Sequence, residues 1–172
     1  MTMEMPNVTL RAPEPDDLDF LYLLENDDAA RESTPCGAPV SRQQLWQYLH
    51  DYDGDIAAQH QLRLMVCGPA GARLGAVDIY DYSHRDRRAY VGIAIAPDCR
   101  RRGYGAAALE AVCAFAADVL GMHQLAAVVT VDNAASRRLF AACGFKPCGR
   151  LRSWRRRGTS YADALVLQRL FV

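Results

Sequence analysis

Lysine is almost absent from this sequence, since Lys146 is the only lysine among its 20 Lys and Arg residues. The 20 Asp and Glu residues bring the formal net charge to zero, so no sequence-wide positive charge draws the chain to nucleic acid. The arginine bias is consistent with a GC-rich genome, although arginine also binds phosphate and carboxylate better than lysine does. A hydrophobic content of 51% argues against disorder.

Patterns that would indicate a metal site or a membrane span are also missing. The six cysteines include no Cys-x-x-Cys pair and the four histidines are scattered, so no zinc site is expected. No segment reaches the roughly 20 apolar residues that a membrane-spanning helix needs. The N-terminal stretch carries acidic Glu4 and no long apolar run. We therefore expect a cytoplasmic protein with reduced thiols, no metal ion and no membrane partner.

The length and the order of the elements predict one α/β (α+β) domain over residues 1–172, because a domain has about 100–200 residues. Apolar periodicity predicts four helices. The helices are expected at residues 15–26, 41–52, 103–120 and 134–143. Ser41 and Gln44 form the capping box of the second helix, and residues 31–39 before it are expected to be an irregular loop.

About seven strands are expected around these helices, in a central, mixed and mostly antiparallel sheet. They are predicted at residues 8–11, 62–67, 74–82, 89–96, 125–131, 148–157 and 161–170. The second, third and fourth resemble an antiparallel meander, and the last two can pair as a hairpin through Gly158-Thr159. The continuous apolar run at 125–131 is typical of a strand buried on both faces.

The stretch Arg100 to Ala106, Arg-Arg-Arg-Gly-Tyr-Gly-Ala, lies between a strand that ends at Ala96-Pro97 and the longest helix. Amides at a helix start have no partner within the helix and lie at the positive end of its dipole, so they bind anions. Gly103 and Gly105 lack the Cβ atom that would keep an anion from the backbone, and arginine adds charge-assisted hydrogen bonds. We predict a pyrophosphate site here, with an ordinary solvated loop as the alternative.

The stretch is not one of two common phosphate loops, since it lacks Gly-x-x-x-x-Gly-Lys-Ser/Thr and the full Gly-x-Gly-x-x-Gly. Its Arg-x-x-Gly-x-Gly pattern, followed by Asn133-Ala134-Ala135-Ser136 and by Leu-Phe-Ala-Ala-Cys-Gly-Phe at 139–145, resembles the GNAT superfamily of acetyl-CoA-dependent N-acetyltransferases. The resemblance covers nearly the whole chain. Residues 9–18 resemble the first strand and first helix of the family, and 78–92 resemble strands of its spermidine and ribosomal-protein acetylating branches.

The resemblance implies the GNAT fold, in which the strands at 89–96 and 124–131 splay apart and acetyl-CoA binds between them. The loop amides would hold the coenzyme A pyrophosphate, the first of these strands would bind pantetheine like an added strand, and a main-chain amide near Ile95 would polarise the thioester carbonyl. For Asn133 helix capping is a second, compatible role. The cofactor-binding residues that the resemblance implies are Ile93, Ala94, Ile95, Arg100, Arg101, Arg102, Gly103, Tyr104, Gly105, Ala106, Asn133, Ser136 and Phe140.

The sequence departs from the family pattern at two catalytic positions. Phe140 stands where the family usually has a tyrosine acid, and Tyr90 stands where it often has a glutamate base. The catalytic candidates are then Asp78 as a base acting through water, Tyr90 orienting it, and Ser136 as an acid for the leaving thiolate. Direct departure of the thiolate is the more economical mechanism. The alternative for Asp78 is a solvent-facing ion pair with Arg85, Arg87 or Arg88.

The expected activity is acetyl transfer from acetyl-CoA to a primary amine by direct attack in a ternary complex. The acceptor is a small amine, a polyamine, an amino acid or a peptide N-terminus, and a homodimer is one option for assembly. Acids that could attract a polyamine are Glu25, Asp27, Asp28 and Glu32. The alternatives are a non-catalytic acyl-CoA-binding module and, from the arginine-rich segment 150–157, a nucleic-acid-binding protein. The stretch Arg100 to Ala106, between a strand and a helix, argues against the latter.

Overall fold

The structure is a computed structural model that describes residues 5–33 and 37–171. Seven strands form one sheet in the order β1-β2-β3-β4-β5-β7-β6. The strands are β1 (Thr9–Arg11), β2 (Gln61–Cys67), β3 (Arg73–Ser83), β4 (Arg88–Ile95), β5 (Gln124–Thr130), β6 (Lys146–Arg157) and β7 (Ser160–Leu170). The helices are α1 (Leu18–Glu25), α2 (Asp28–Ser33), α3 (Arg42–Asp51), α4 (Ile56–Gln59), α5 (Tyr104–Ala114) and α6 (Ala134–Ala142).

The sheet is mixed and mostly antiparallel, as predicted. Strands β1 to β4 follow one another as antiparallel neighbours, and β6 and β7 form the predicted hairpin. Strand β5 pairs antiparallel with β7 and parallel with β4. The parallel pair therefore joins two antiparallel halves, and α5 packs against the first half through β1, β3 and β4.

The helices differ from the prediction in number and at their ends. Residues 15–17 of the first predicted helix form a separate 3-10 turn before α1. The structure adds the short helices α2 and α4, and α2 occupies the first part of the expected irregular loop, residues 31–33; residues 34–36 lie outside the described part of the chain. Asp55 explains α4, because its side chain accepts the amides of Ala57 and Ala58 at 3.0 and 3.1 Å. Neither helix is long enough to show apolar periodicity. The predicted helix over 103–120 becomes α5 followed by a π-helical turn, Phe115–Val119.

Strand β5 also differs from its prediction. Leu125, Ala127 and Val129 are buried, whereas the residues between them are only half-buried. The strand is therefore covered fully on one face and partly on the other, rather than buried on both. The reason is that the sheet opens beside this strand, as described below.

The second helix begins as predicted. Ser41 Oγ accepts the amide of Gln44 at 3.1 Å, and the side chain of Gln44 accepts the amide of Ser41 at 2.8 Å. This reciprocal pair satisfies two amides that the helix leaves unpaired. It fixes the start of α3, which packs against α1.

Asp17 is a buried charge whose burial the sequence patterns did not predict. Its carboxylate is fully buried and accepts hydrogen bonds from Arg11 at 2.7 and 2.8 Å, from Arg73 at 2.5 Å and from the Glu14 amide at 2.7 Å. Burial raises the pKa of Asp17, but these hydrogen bonds outweigh burial and hold the pKa well below its usual range. The contacts join β1 and β3 to the turn that begins α1.

None of the helices in the described ranges, 5–33 and 37–171, is both long enough and apolar enough to cross a membrane.

Candidate active site

Strands β4 and β5 pair over only three residues each. Arg88 to Tyr90 lie opposite Gln124 to Ala126, and beyond Tyr90 the strands diverge toward their ends at Ile95 and Thr130. The predicted splay is confirmed. A cleft of about 2370 Å³ runs through the opening, and the β4 backbone along it has no ladder partner on β5 among the described residues. Such free strand edges bind extended ligands through main-chain hydrogen bonds.

The loop that follows β4 leads directly into the start of α5 at the mouth of this cleft. Gly103 has φ +83° and Arg101 has φ +59°, and both lie in the left-handed region. The N-cap residue Gly103 has no side chain that could cap the helix, and the first intrahelical bond is the 3.1 Å bond from the Ala107 amide to the Gly103 carbonyl. The amides of residues 104–106 therefore have no partner within the helix, which is the arrangement that binds anions.

The arginines of this loop have three different environments. Arg100 Nε donates to the Ile95 carbonyl at 2.9 Å and its Nη2 donates to Asp27 at 2.6 Å. Its guanidinium therefore ties the end of β4 to the segment between α1 and α2. Arg101 is exposed and lines the cleft, whereas Arg102 lies off the cleft with its guanidinium 5.5 Å from the ring of Tyr104.

Gly105 lies where α5 approaches α6. A Cβ atom placed there would come within 3.5 Å of Leu139 and 3.9 Å of Ile95, which is ordinary van der Waals contact. Glycine at 105 is therefore not required by the protein's own packing, in contrast to Gly103, whose positive φ disfavours other residues.

Helix α6 lines the opposite side of the opening. Asn133 caps the helix, because its side-chain oxygen accepts the Ser136 amide at 3.0 Å, and both residues line the cleft. Phe140 is buried, with its ring 5.0 Å from that of Phe145 in an edge-on arrangement. The capping role of Asn133 is thus present, and its place in the cleft is compatible with the predicted contact to the coenzyme.

At the closed end of the opening, Asp78 is held by Arg63. Arg63 Nε lies 2.7 Å from Asp78 Oδ1 and Nη2 lies 2.8 Å from Oδ2, while Nη1 lies 2.6 Å from Glu25 Oε1. The predicted alternative of an ion pair for Asp78 is confirmed, but its partner is Arg63 and not Arg85, Arg87 or Arg88. The Asp78 side chain keeps 40% of its surface exposed, toward the cleft that it lines.

Tyr90 stacks on Tyr80 across the β3–β4 ladder, with ring centroids 5.7 Å apart. Burial is the main cause that raises the pKa of Tyr80, and the neighbouring Tyr90 raises it further. Burial likewise raises the pKa of Tyr48, on α3, to about 12. Tyr80 and Tyr48 are therefore neutral phenols at physiological pH, able to donate a hydrogen bond but not to act as anionic bases.

The cleft is divided by charge. Beside β2, β3 and α3 its charged lining residues are Glu25, Asp51, Asp53, Arg63, Asp78 and Asp81, and Arg155 of β6 lies near Tyr80 at the same end. Beside the loop after β4 and beside α6 they are Arg100, Arg101, Asp132, Arg138 and Arg157. The first end holds five carboxylates against two guanidinium groups, and the second holds four guanidinium groups against one carboxylate.

The structure brings most of the predicted site residues to this one cleft. Those that line it are Asp78, Tyr90, Ile93, Ala94, Ile95, Arg100, Arg101, Gly103, Gly105, Ala106, Asn133, Ser136 and Phe140. The side chains of Arg102 and Tyr104 do not. Of the acids expected to attract a polyamine, Glu25 lines the cleft, Asp27 binds Arg100 and Asp28 is exposed beside Arg31; the side chain of Glu32 lies outside the described residues.

Sequence reasoning missed Arg63 and Tyr48. A usable signal existed for Arg63, because it is the one charged residue in the otherwise apolar run 62–67. A charge inside a buried strand needs a partner, and its position opposite Asp78 depends on the β2–β3 register. No cluster of three or more metal-ligating side chains occurs within the part of the chain that the structure describes.

The family model described as acetyltransferase (GNAT) domain matches residues 7–146, which include the loop at residues 100–106 and both sides of the cleft. The chain belongs to the GNAT acetyltransferases. The predicted N-acetyltransferase function and the use of acetyl-CoA are confirmed at the level of this family, which favours an enzyme over the binding module and the nucleic-acid-binding protein.

Two curated relatives illustrate the relationship. The chain is 27% identical over 149 residues to spermidine N(1)-acetyltransferase of Escherichia coli K12, covering 84% of this chain and 76% of that one. It is 33% identical over 89 residues to the uncharacterized N-acetyltransferase YoaA of Bacillus subtilis, covering 51% of this chain and half the length of YoaA.

Solved structures show the same fold. A spermidine N-acetyltransferase from Vibrio cholerae, in complex with CoA and spermine, matches with a TM-score of 0.84 at 24% identity and covers 95% of both chains. The predicted GNAT fold is therefore confirmed.

Proposed function

We propose that this chain acetylates a cationic primary amine of the polyamine type. The charge division of the cleft carries the proposal, since an excess of carboxylates at one end suits an ammonium acceptor and an excess of arginines at the other suits phosphate. The relatives named for spermidine agree with it. Phenolic rings at the acidic end add cation–π attraction for an alkylammonium chain.

The residues of the opening fit acetyl-CoA, which supplies the acetyl group as a thioester. The free amides of residues 104–106 and the side chain of Arg101 would hold the pyrophosphate. The unpaired edge of β4 from Ile93 to Ile95 would bind pantetheine, and an amide near Ile95 would polarise the thioester carbonyl. Arg100 positions this segment through the Ile95 carbonyl rather than through phosphate.

Asn133, Ser136 and Phe140 would contact the coenzyme from α6, on the far side of the cleft. Asn133 and Ser136 are already joined by the capping hydrogen bond, so they move as a unit with the helix start. Phe140 offers a buried apolar surface. Arg102 and Tyr104 act through their main-chain groups, because their side chains lie off the cleft.

Asp78 is the proposed base. A primary ammonium must lose one proton before its nitrogen can attack, and a water molecule between the amine and the exposed part of Asp78 would carry that proton to the carboxylate. Tyr90 lies two residues from Gly92, which is opposite Asp78 in the ladder, so its phenol can orient the water. The nitrogen then bonds to the acetyl carbon and releases its second proton to solvent.

No side chain with an acidic proton occupies position 140, so we propose that sulfur leaves as a thiolate. The electron pair of the breaking carbon–sulfur bond stays on sulfur, which then takes a proton from water. Ser136 is the candidate donor on α6 if that proton comes from the protein, because its hydroxyl group lies at the cleft.

A panel assay of thiol release from acetyl-CoA tests the acceptor. We expect spermidine and short diamines to have the highest kcat/KM, and the preference to weaken with salt because part of it is electrostatic. Asp78→Asn should lose most of the turnover while acetyl-CoA binding is kept. Faster turnover of free amino acids, whose carboxylate meets the acidic end, would contradict the proposal.

Calorimetry tests the phosphate loop separately. A Gly103→Glu, Gly105→Glu double variant places two carboxylates at the proposed pyrophosphate site and should lose acetyl-CoA binding. Equal affinity in a folded double variant and in the wild type would rule this site out.

A further inference from the structure

We infer that Arg63 is a positioning residue of acetyl transfer, which holds the carboxylate of Asp78 in the orientation that accepts the proton of the amine. The inference rests on the proposed function of Asp78 as base. It assigns a role to a residue that carries no proton in the proposed reaction and acts through the carboxylate it binds.

The geometry is a three-point bridge. Arg63 on β2 lies directly opposite Asp78 on β3, and two of its nitrogens meet the two carboxylate oxygens at 2.7 and 2.8 Å. Its third nitrogen meets Glu25 at the end of α1 at 2.6 Å. A bidentate pair fixes the plane of the carboxylate as well as its position. The bridge therefore ties the base to an element from outside the sheet.

Arg63 is itself held on several sides. Its side chain is 18% exposed, and its guanidinium lies 5.6 Å from the ring of Tyr48 on α3. The hydroxyl group of Tyr52 donates to its main-chain carbonyl at 2.6 Å. Arg63 therefore has little freedom to move, and the position of Asp78 is coupled to the packing of α1 and α3 on the sheet.

The bridge leaves Asp78 able to accept further hydrogen bonds. An ionised carboxylate has about four acceptor sites, and Arg63 occupies one on each oxygen. The remaining sites belong to the part of the side chain that is exposed to the cleft. Arg63 also separates two carboxylates, Glu25 and Asp78, that would otherwise repel each other at the same end of the cleft.

An ordinary cross-strand ion pair would contribute to stability alone. The positioning role predicts in addition that the loss of Arg63 acts on kcat through Asp78. A double-mutant cycle separates the two roles, because residues that act as a unit show non-additive effects. The cycle compares wild type, Arg63→Gln, Asp78→Asn and the variant that carries both substitutions.

We expect Arg63→Gln to lower kcat roughly tenfold to a hundredfold, as misplaced reacting groups do, with little change in KM for acetyl-CoA. Arg63→Lys should recover part of the loss, since it keeps the charge but not the bidentate geometry. The double variant should be no slower than Asp78→Asn alone. If the glutamine variant does not fold, the lysine variant and its combination with Asp78→Asn form the cycle.

Arg169→Gln is the matched control. Arg169 also bridges a carboxylate, Glu110 at 2.9 Å, and a main-chain oxygen, Cys143 at 2.8 Å, but it does not line the cleft. Its loss should lower the melting temperature and leave kcat within about twofold of wild type, as expected for a site far from the chemistry.

The possible failures are distinguishable. If Asp78→Asn keeps its kcat, the base assignment is wrong and the role of Arg63 falls with it. If Asp78→Asn loses kcat but Arg63→Gln behaves like Arg169→Gln, the base stands and Arg63 is merely structural. If the two losses multiply in the double variant, Arg63 acts independently of Asp78 and the inference is overturned.

Discussion

Replacing Asp17 with Asn keeps the shape of the side chain and removes its charge from a fully buried position. Each carboxylate oxygen accepts two of the four hydrogen bonds from Arg11, Arg73 and Glu14. The amide nitrogen of asparagine cannot accept, so two of the four become contacts between donors. Two guanidinium groups also lose their counter-charge. The substitution therefore tests how much this buried carboxylate contributes to the free energy of unfolding.

Removal of one partner of a buried ion pair costs about 3–5 kcal/mol. Arg11 and Arg73 have side chains that are 36% and 38% exposed, so water can solvate them in the variant and the lower figure, about 3 kcal/mol, applies. At about 2–4 °C per kcal/mol for a domain of this size, the melting temperature should fall by roughly 6–12 °C at pH 7.

The pH dependence gives a second measurement. The pKa of Asp17 in the folded state is below its ordinary value of 3.8, so the stabilisation is complete above that value and is lost as the pH falls below it. Calorimetry from pH 7 to pH 3 should show the wild-type and Asp17→Asn melting temperatures converging in acid. Exposed Asp16→Asn is the control and should shift Tm by less than about 2 °C. A shift that small for Asp17→Asn at pH 7, or a gap that widens in acid, would refute the reasoning.

Three further outcomes are expected. If sulfur leaves without an acid, Phe140→Tyr should change turnover by less than about tenfold, which corresponds to about 1.4 kcal/mol of barrier. A much larger gain in steady-state kcat at unchanged acetyl-CoA affinity would show that an acid is needed. Among the described cysteines, exposed Cys148 should be alkylated by iodoacetamide first. Burial raises the pKa of Cys113 to about 12 and that of Cys143 to about 11, which protects both thiols. Peptide mass spectrometry that finds the buried thiols modified at neutral pH would contradict this. Gly75→Ala should destabilise the fold by more than about 1 kcal/mol, since its Cβ would lie 2.1 Å from a main-chain oxygen of β4; unfolding in urea measures this, and an unchanged midpoint would show that the strands can separate.

Local patterns predicted much of the fold. The capping box of Ser41, the Gly158 turn of the last hairpin and the long apolar periodicity of α5 each depend on residues close together in the chain. The loop at residues 100–106 was recognised as a candidate phosphate site for the same reason, because its glycines and the helix start are contiguous. Helices α2 and α4 were missed because they are shorter than the period needed to show an apolar face.

The sequence by itself determined the family, the order of the elements and the loop at residues 100–106 that we propose as the phosphate site, since those depend on contiguous motifs. Only the tertiary structure decided which charges meet. Asp78 binds Arg63 rather than an arginine nearer in sequence, because the antiparallel register of β2 and β3 places those two residues opposite each other. Arg100 binds Asp27, 73 positions away, because the end of β4 lies beside the end of α1. A charged side chain can be recognised from the sequence, but its partner is set by strand register and helix packing, which bring distant residues together only in the folded chain.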